Sequence, residues 1–66
     1  MIDVQDAIQI HVNGQAQTCR CDATVADLLR DLEIRTERVA VELNIEILDR
    51  GTFGQRQLTE GDRVEI

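Results

Sequence analysis

Three side chains of this 66-residue chain could serve as soft ligands or nucleophiles: His11, Cys19 and Cys21. The chain has no Ser, Lys, Tyr, Trp or Pro, so an enzyme built on it would have few groups to work with. A metal site needs three or four ligands that converge. Cys19 and Cys21 are separated by one residue, and on a strand they would point the same way, about 6–7 Å apart. A disulfide between them would close a strained ring, so both are read as free thiols. Whether His11 can join them depends on the strands that carry it.

Ile8-Gln9-Ile10-His11-Val12 alternates with period two, as a strand with one buried face does. Asn13-Gly14 follows. Both central positions of a type I′ turn need positive φ, which Asn and Gly tolerate best, so a two-residue hairpin loop is predicted. The second strand then runs from about Gln15 to Arg20, with Val12 opposite Gln15, Ile10 opposite Gln17 and Ile8 opposite Cys19. Directly opposed residues share a face. Cys19 therefore turns inward beside Ile8, while His11 faces outward beside Ala16. Imidazole and thiol are on opposite sides of the sheet, which rules against a metal site or a Cys-His nucleophile. Cys19 is expected as a small core residue, Cys21 near a strand end, and His11 as an exposed strand residue.

Val25, Leu28, Leu29 and Leu32 follow the i, i+3, i+4, i+7 spacing of one amphipathic helix of about two and a half turns. Thr24 is the expected N-cap, with Asp27 three residues on in a near version of the capping box. Glu33 stands where a helix-ending Gly is common, and Ile34 follows as the returning apolar contact. Arg38 to Leu43 reads as a strand with Val39, Val41 and Leu43 on one face and Ala40 and Glu42 on the other. Asn44-Ile45 occupies the place of a second tight turn before a short Glu46-Ile47-Leu48 strand. Ile is β-branched and a poor occupant of positive φ, so a longer turn or another type is expected there. Asp49 to Gln57 reads as a loop anchored by Phe53, Glu60-Gly61-Asp62 as a turn, and Arg63 to Ile66 as a last strand with Val64 and Ile66 inward.

A chain this short has room for one core only, so residues 1–66 are taken as a single domain. The net charge is −6, with thirteen acids against seven arginines, and leaves no basic stripe for phosphates. Nucleic acid is therefore excluded as a partner, and a basic groove on another protein is favoured. No apolar run reaches the 18 or so residues that span a bilayer, and Met1 to Ala7 does not read as a secretory signal. The expectation is a cytoplasmic protein, away from membranes and monomeric on its own.

The order strand, hairpin, strand, helix, strand, short strand, loop, strand implies one helix laid across one mixed sheet of four or five strands. That α+β arrangement is the ubiquitin-like β-grasp. Four blocks in sequence resemble ThiS-type sulfur carriers: Ile10 to Gly14, Ala23 to Leu29, Arg38 to Asn44 and Glu60 to Ile66. The resemblance spans roughly Ile8 to Ile66. It implies a carrier acted on by enzymes, with no cofactor of its own. Members end in Gly-Gly, whose carboxylate a ThiF-type adenylyltransferase activates with ATP. A sulfur donor such as a cysteine desulfurase then converts it to a thiocarboxylate, and a ThiG-type thiazole synthase takes the sulfur for the thiazole of thiamine. A side-chain-free tail suits a narrow active site, and an acyl adenylate makes a carboxylate attackable by sulfur.

The chain departs from the pattern in four places. Ile45 stands where Gly is expected, Glu33 where a helix-ending Gly is expected, residues 1–7 read as an N-terminal extension, and Ile66 ends the sequence before any Gly-Gly tail. The resemblance implies that the natural chain continues past Ile66. Two alternatives stand beside this reading: the small subunit of molybdopterin synthase, typically longer and with a more aromatic first strand, and a tail-less β-grasp interaction module. Glu42, Arg63, Glu65 and Ile66 are the candidate partner-contacting residues. They belong beside the root of the tail, where acids would steer docking onto a basic surface.

Overall fold

The computed structural model describes residues 6–66. Its sheet has five strands: β1 Ala7–Val12, β2 Gln15–Arg20, β3 Glu42–Leu43, β4 Glu46–Ile47 and β5 Arg63–Glu65, in the order β2-β1-β5-β3-β4. One helix, α1 Val25–Asp31, covers it. β1 and β5 run parallel at the centre, and the other pairings are antiparallel. This is the β-grasp topology that the element order predicts.

The first hairpin matches its predicted register residue by residue, from Val12 opposite Gln15 to Ile8 opposite Cys19. Asn13 and Gly14 have φ of 51° and 86°, the positive values of a type I′ turn. Residues 1–5 of the expected extension lie outside the described residues. Of the other two, Ala7 belongs to β1 and pairs with Arg20, and Asp6 just before the strand accepts the Cys21 N–H at its carbonyl at 2.8 Å.

Ile10, Val12, Leu43 and Val64 line the covered face of the sheet and Val25, Leu28 and Leu29 the helix, closed by Ala23, Val41, Phe53 and Leu58. Leu28, Leu29, Ile10 and Val64 are each at most 2% exposed. Burying a side chain of this kind stabilises by roughly 1.5–3 kcal/mol. The helix start is held from two directions. Thr24 and Asp27 form a reciprocal capping box, at 3.0 and 3.2 Å. Carbonyls from the loop anchored by Phe53 take the N–H groups of Val25 (from Arg56) and Ala26 (from Phe53), both at 3.0 Å. The first-turn donors that a helix leaves unpaired are thus satisfied.

At the other end, Glu33 adopts φ 59°, the Glu33 N–H donates to Arg30 and the Ile34 N–H to Leu29. That is a Schellman closure made without glycine. The helix stops one residue earlier than its apolar spacing predicts, with Leu32 as C-cap.

Two expectations are corrected. The strand predicted over Arg38 to Leu43 is laddered only at Glu42–Leu43, and Thr36–Arg38 forms a 3₁₀ turn. The alternation survives, with Val41 and Leu43 buried and Ala40 exposed. It reflects the period of burial rather than the extent of pairing, because β5 opposes only Glu42 and Leu43. Leu48 likewise falls outside β4, although its N–H donates to Val41. The second correction concerns Asn44-Ile45, which does form a two-residue turn with φ of 53° and 72°. Its cause is the network described next.

Candidate functional site

β5 is held at both ends by the asparagines of the two hairpin turns. Asn13 Oδ1 accepts from the Ile66 N–H at 2.8 Å, and the Asn13 N–H donates to the Val64 carbonyl at 2.8 Å. On the other flank, Asn44 Oδ1 accepts from the Arg63 N–H at 2.9 Å, and the Asn44 N–H donates to the Arg63 carbonyl at 2.8 Å. A strand of three residues is in this way gripped at four backbone groups by the tips of both neighbouring hairpins. Side-chain acceptors at the strand ends replace the ladder bonds that short pairing leaves unmade.

Behind Asn44 is the one buried carboxylate among the described residues, Asp62. It accepts from Asn44 Nδ2 at 3.0 Å, from the Thr59 N–H at 2.8 Å and from the Thr59 hydroxyl at 3.0 Å. Burial pushes the Asp62 carboxyl upward, but the bonds from Asn44 and Thr59, with the charge of Arg56, outweigh it and hold the group below its ordinary value. Asp62 is thus an ionised pin that fixes Asn44, and Asn44 fixes the turn. This network accounts for the tight turn at Asn44-Ile45, since positive φ at Ile45 costs less than depriving the buried Asp62 carboxylate of one of its three donors and the Arg63 N–H of its acceptor. Reading residues one after another missed it. A signal was present in Thr59-x-x-Asp62, which repeats the spacing of Thr24-x-x-Asp27 and has the same bond from the Thr N–H to the Asp carboxylate.

The four candidate contact residues come together on the open face and end of this assembly. Glu42 of β3 is directly opposite Glu65 of β5, and Ile47 of β4 continues the same row. Arg63 precedes Glu65 by two residues, so it shares the outward face, beside His11 of β1. Ile66 is half-buried against the core. Opposed carboxylates at the usual Cβ separation of about 4.5–5.5 Å repel one another. The ion pairs among the described residues, Arg20–Asp22 and Arg30–Asp27, use none of these groups.

His11 faces outward as predicted but is half-buried, and its Nδ1 is covered without a partner among the described residues. Cys19 packs against the core from the inner face, and burial, with the nearby carboxylates of Asp62 and Asp31, raises its pKa, so it stays a thiol at neutral pH. Cys21 is exposed. Among the described residues no three of His, Cys, Asp and Glu are grouped as a metal ion would need. No helix there is long and apolar enough to cross a membrane. A shallow cleft of about 320 Å³ runs along Arg20, Asp22, Ala23, Asp27, Arg30 and Asp31. Its two arginines are paired with Asp22 and Asp27, which leaves no free cation to hold an anion. The arrangement is suited to presenting a strand end and a charged face rather than to chemistry of its own.

Comparison with known proteins agrees with that geometry. The ThiS family profile matches residues 10–66. The chain is 33% identical over 57 residues to the sulfur carrier protein ThiS of Escherichia coli, covering 86% of each chain. It is 37% identical over 59 residues to a thiazole synthase of Magnetococcus marinus, covering 89% of this chain but only 18% of that protein, so it spans less than a fifth of the synthase. The crystal structure of the thiamine biosynthesis protein ThiS of Geobacter metallireducens superposes with a TM-score of 0.80 at 36% identity, over 88% of both chains. The fold and these likenesses lead to one assignment: the chain belongs to the ThiS family.

Proposed function

We propose that this domain is a sulfur carrier of thiamine biosynthesis, which donates sulfur as a C-terminal thiocarboxylate for the thiazole ring and catalyses nothing itself. The observation that carries the proposal is the likeness to the sulfur carrier protein ThiS over 86% of both chains. In this reading a tail follows Ile66 in the natural protein. Its terminal carboxylate attacks the α-phosphorus of ATP on a ThiF-type adenylyltransferase, forming an acyl adenylate and releasing pyrophosphate. A persulfide on a donor such as a cysteine desulfurase attacks the acyl carbon and displaces AMP. A second thiol then attacks the donor's sulfur of the resulting acyl disulfide, so that the thiocarboxylate leaves and the two thiol sulfurs remain as a disulfide. A ThiG-type thiazole synthase then receives the sulfur. Similarity to a stretch of the M. marinus synthase supports that last partner. The work is placed in the cytoplasm, where ATP and both enzymes are at hand.

The fold contributes position. Bonds from Asn13 and Asn44 fix β5 up to Ile66, so a tail leaves the sheet from a defined point and direction. Glu42 and Glu65, beside that point, steer the carrier toward a basic rim on the adenylyltransferase, and Arg63 and Ile66 complete the contact. Reversing both glutamates to Lys slows association at low salt, read by stopped-flow kinetics; on-rates with unchanged salt dependence remove these residues from the interface. The decisive test of the carrier role is intact mass. Incubated with adenylyltransferase, ATP and sulfur donor, the full natural protein gains about 16 Da as oxygen is exchanged for sulfur at its terminal carboxyl. A protein that keeps its mass under conditions where a known carrier gains it is not a sulfur carrier.

A further inference from the structure

The turn between β3 and β4 holds a strained residue with nothing packed on it. Ile45 has φ 72° and is 94% exposed; Ile47, two residues on, is 73% exposed, and these two are the exposed large hydrophobic side chains among the described residues. Gly fits a positive-φ turn position without strain, and a polar residue fits an exposed sheet edge, so the stability of the isolated domain explains neither isoleucine. Strain held at an exposed position is a reason to look for a contact made elsewhere.

The surroundings define that contact. Ile47 ends a row that runs Glu65, Glu42, Ile47 across β5, β3 and β4 on the open face of the sheet, whereas Glu46, paired with the core residue Leu43, faces the other way. The complement of an apolar knob flanked by the carboxylates Glu42 and Glu65, which make no ion pair among the described residues, is an apolar pocket with a basic border. A second copy of this chain is a poorer match, because a two-fold contact through this row would gather Glu42 and Glu65 of both copies with only Arg63 on the same face to offset them.

We infer that Ile45 and Ile47 are the anchor by which this domain seats on the thiazole synthase, in an apolar pocket bordered by Arg or Lys side chains. This rests on the carrier reading, and the choice of the synthase over the adenylyltransferase follows from the M. marinus protein. There a stretch 37% identical to this chain is part of the synthase polypeptide itself, so the two surfaces are kept within reach of each other.

The test uses the full natural protein and two variants, Ile45→Gly and Ile47→Thr, titrated against purified thiazole synthase and adenylyltransferase of the same organism, with melting curves for each. Ile45→Gly is expected to melt at a higher temperature yet to bind the synthase about tenfold more weakly. Ile47→Thr, which keeps strand propensity, is expected to lose affinity comparably, and for both the loss on the adenylyltransferase is smaller. The higher melting temperature separates lost contact from lost fold. Unchanged synthase affinity in both variants, an equal or larger loss on the adenylyltransferase, or dimers of the wild type that Ile47→Thr dissolves would each overturn the assignment. If wild type gains sulfur and binds the synthase while the variants bind as well, the anchor fails and the carrier reading stands. If wild type neither gains sulfur nor binds, the carrier reading fails first.

Discussion

The two hairpin turns have the same backbone form and opposite reasons for it. Asn13-Gly14 lies where local preference puts it, since both residues accept positive φ and the strands on either side pair over six residues. Asn44-Ile45 has similar φ angles, 53° and 72°, between two-residue strands, with a β-branched side chain in the second position. Its geometry is imposed from residues 62 and 63, through three bonds of the Asn44 side chain and backbone. One turn follows from its own residues and directs the chain; the other is forced by a buried ionised pin and displays what it carries. Of the two turns, only the one that points at solvent from the edge of the sheet places a β-branched residue at positive φ.

That contrast breaks most sharply at the asparagines. Asn44→Ala strips a donor from a buried carboxylate and an acceptor from β5, and is expected to cost about 2–4 kcal/mol, against about 1–2 kcal/mol for Asn13→Ala. A domain of this length has about 3–10 kcal/mol in all. Guanidinium midpoints of the two variants measure the difference, and equal losses would mean that Asp62 does not hold the turn.

Acid should loosen the second turn alone. The folded pKa of Asp62 lies below its ordinary value, so its contribution is complete at neutral pH. The contribution declines as the pH drops below ~4, the ordinary carboxylate value, and is lost below the folded pKa. Asp62→Asn is expected to flatten the fall of melting temperature between about pH 5 and 3. In the wild type, exchange of the Arg63 amide rises on acidification before that of Ile66, read by hydrogen exchange. Parallel rises at both amides would contradict the pin.

The smallest expected effects exchange the second residues of the turns. Ile45→Gly relieves strain and stabilises by about 0.5–1 kcal/mol after the added freedom of the unfolded chain, whereas Gly14→Ile destabilises by about 1–2 kcal/mol. Thermal melts decide it. An Ile45→Gly protein less stable than wild type would show that Ile45 is packed rather than strained.

The same contrast marks what the sequence could tell. Period-two alternation with Asn-Gly yields β1, β2 and their register, because the determinants are neighbours in the chain. Thr24 with Asp27 yields the helix start for the same reason. The inward Cys19 and outward His11 followed from that register and removed Cys-His chemistry from consideration. The turn at Asn44-Ile45 was misjudged because the bonds that enforce it come from 18 and 19 residues away. The ladder at β3 was overestimated because burial alternates along Val39, Val41 and Leu43 whether or not a partner strand is opposite. Glu42, Arg63 and Glu65 are legible as one outward face; the role of the isoleucines beside them is not, since the pattern reads Ile47 as an ordinary strand residue and Ile45 as a poor turn former.

The central claim is that sulfur passes through this protein. It is tested most directly by loading the full natural protein with ³⁴S, using adenylyltransferase, ATP and labelled donor, then removing the donor and adding thiazole synthase with its other substrates. The account predicts that ³⁴S appears in the thiazole product, in an amount equal to that lost from the protein. Thiazole formed without the label, or a protein that retains all of its ³⁴S while the synthase turns over, would contradict it.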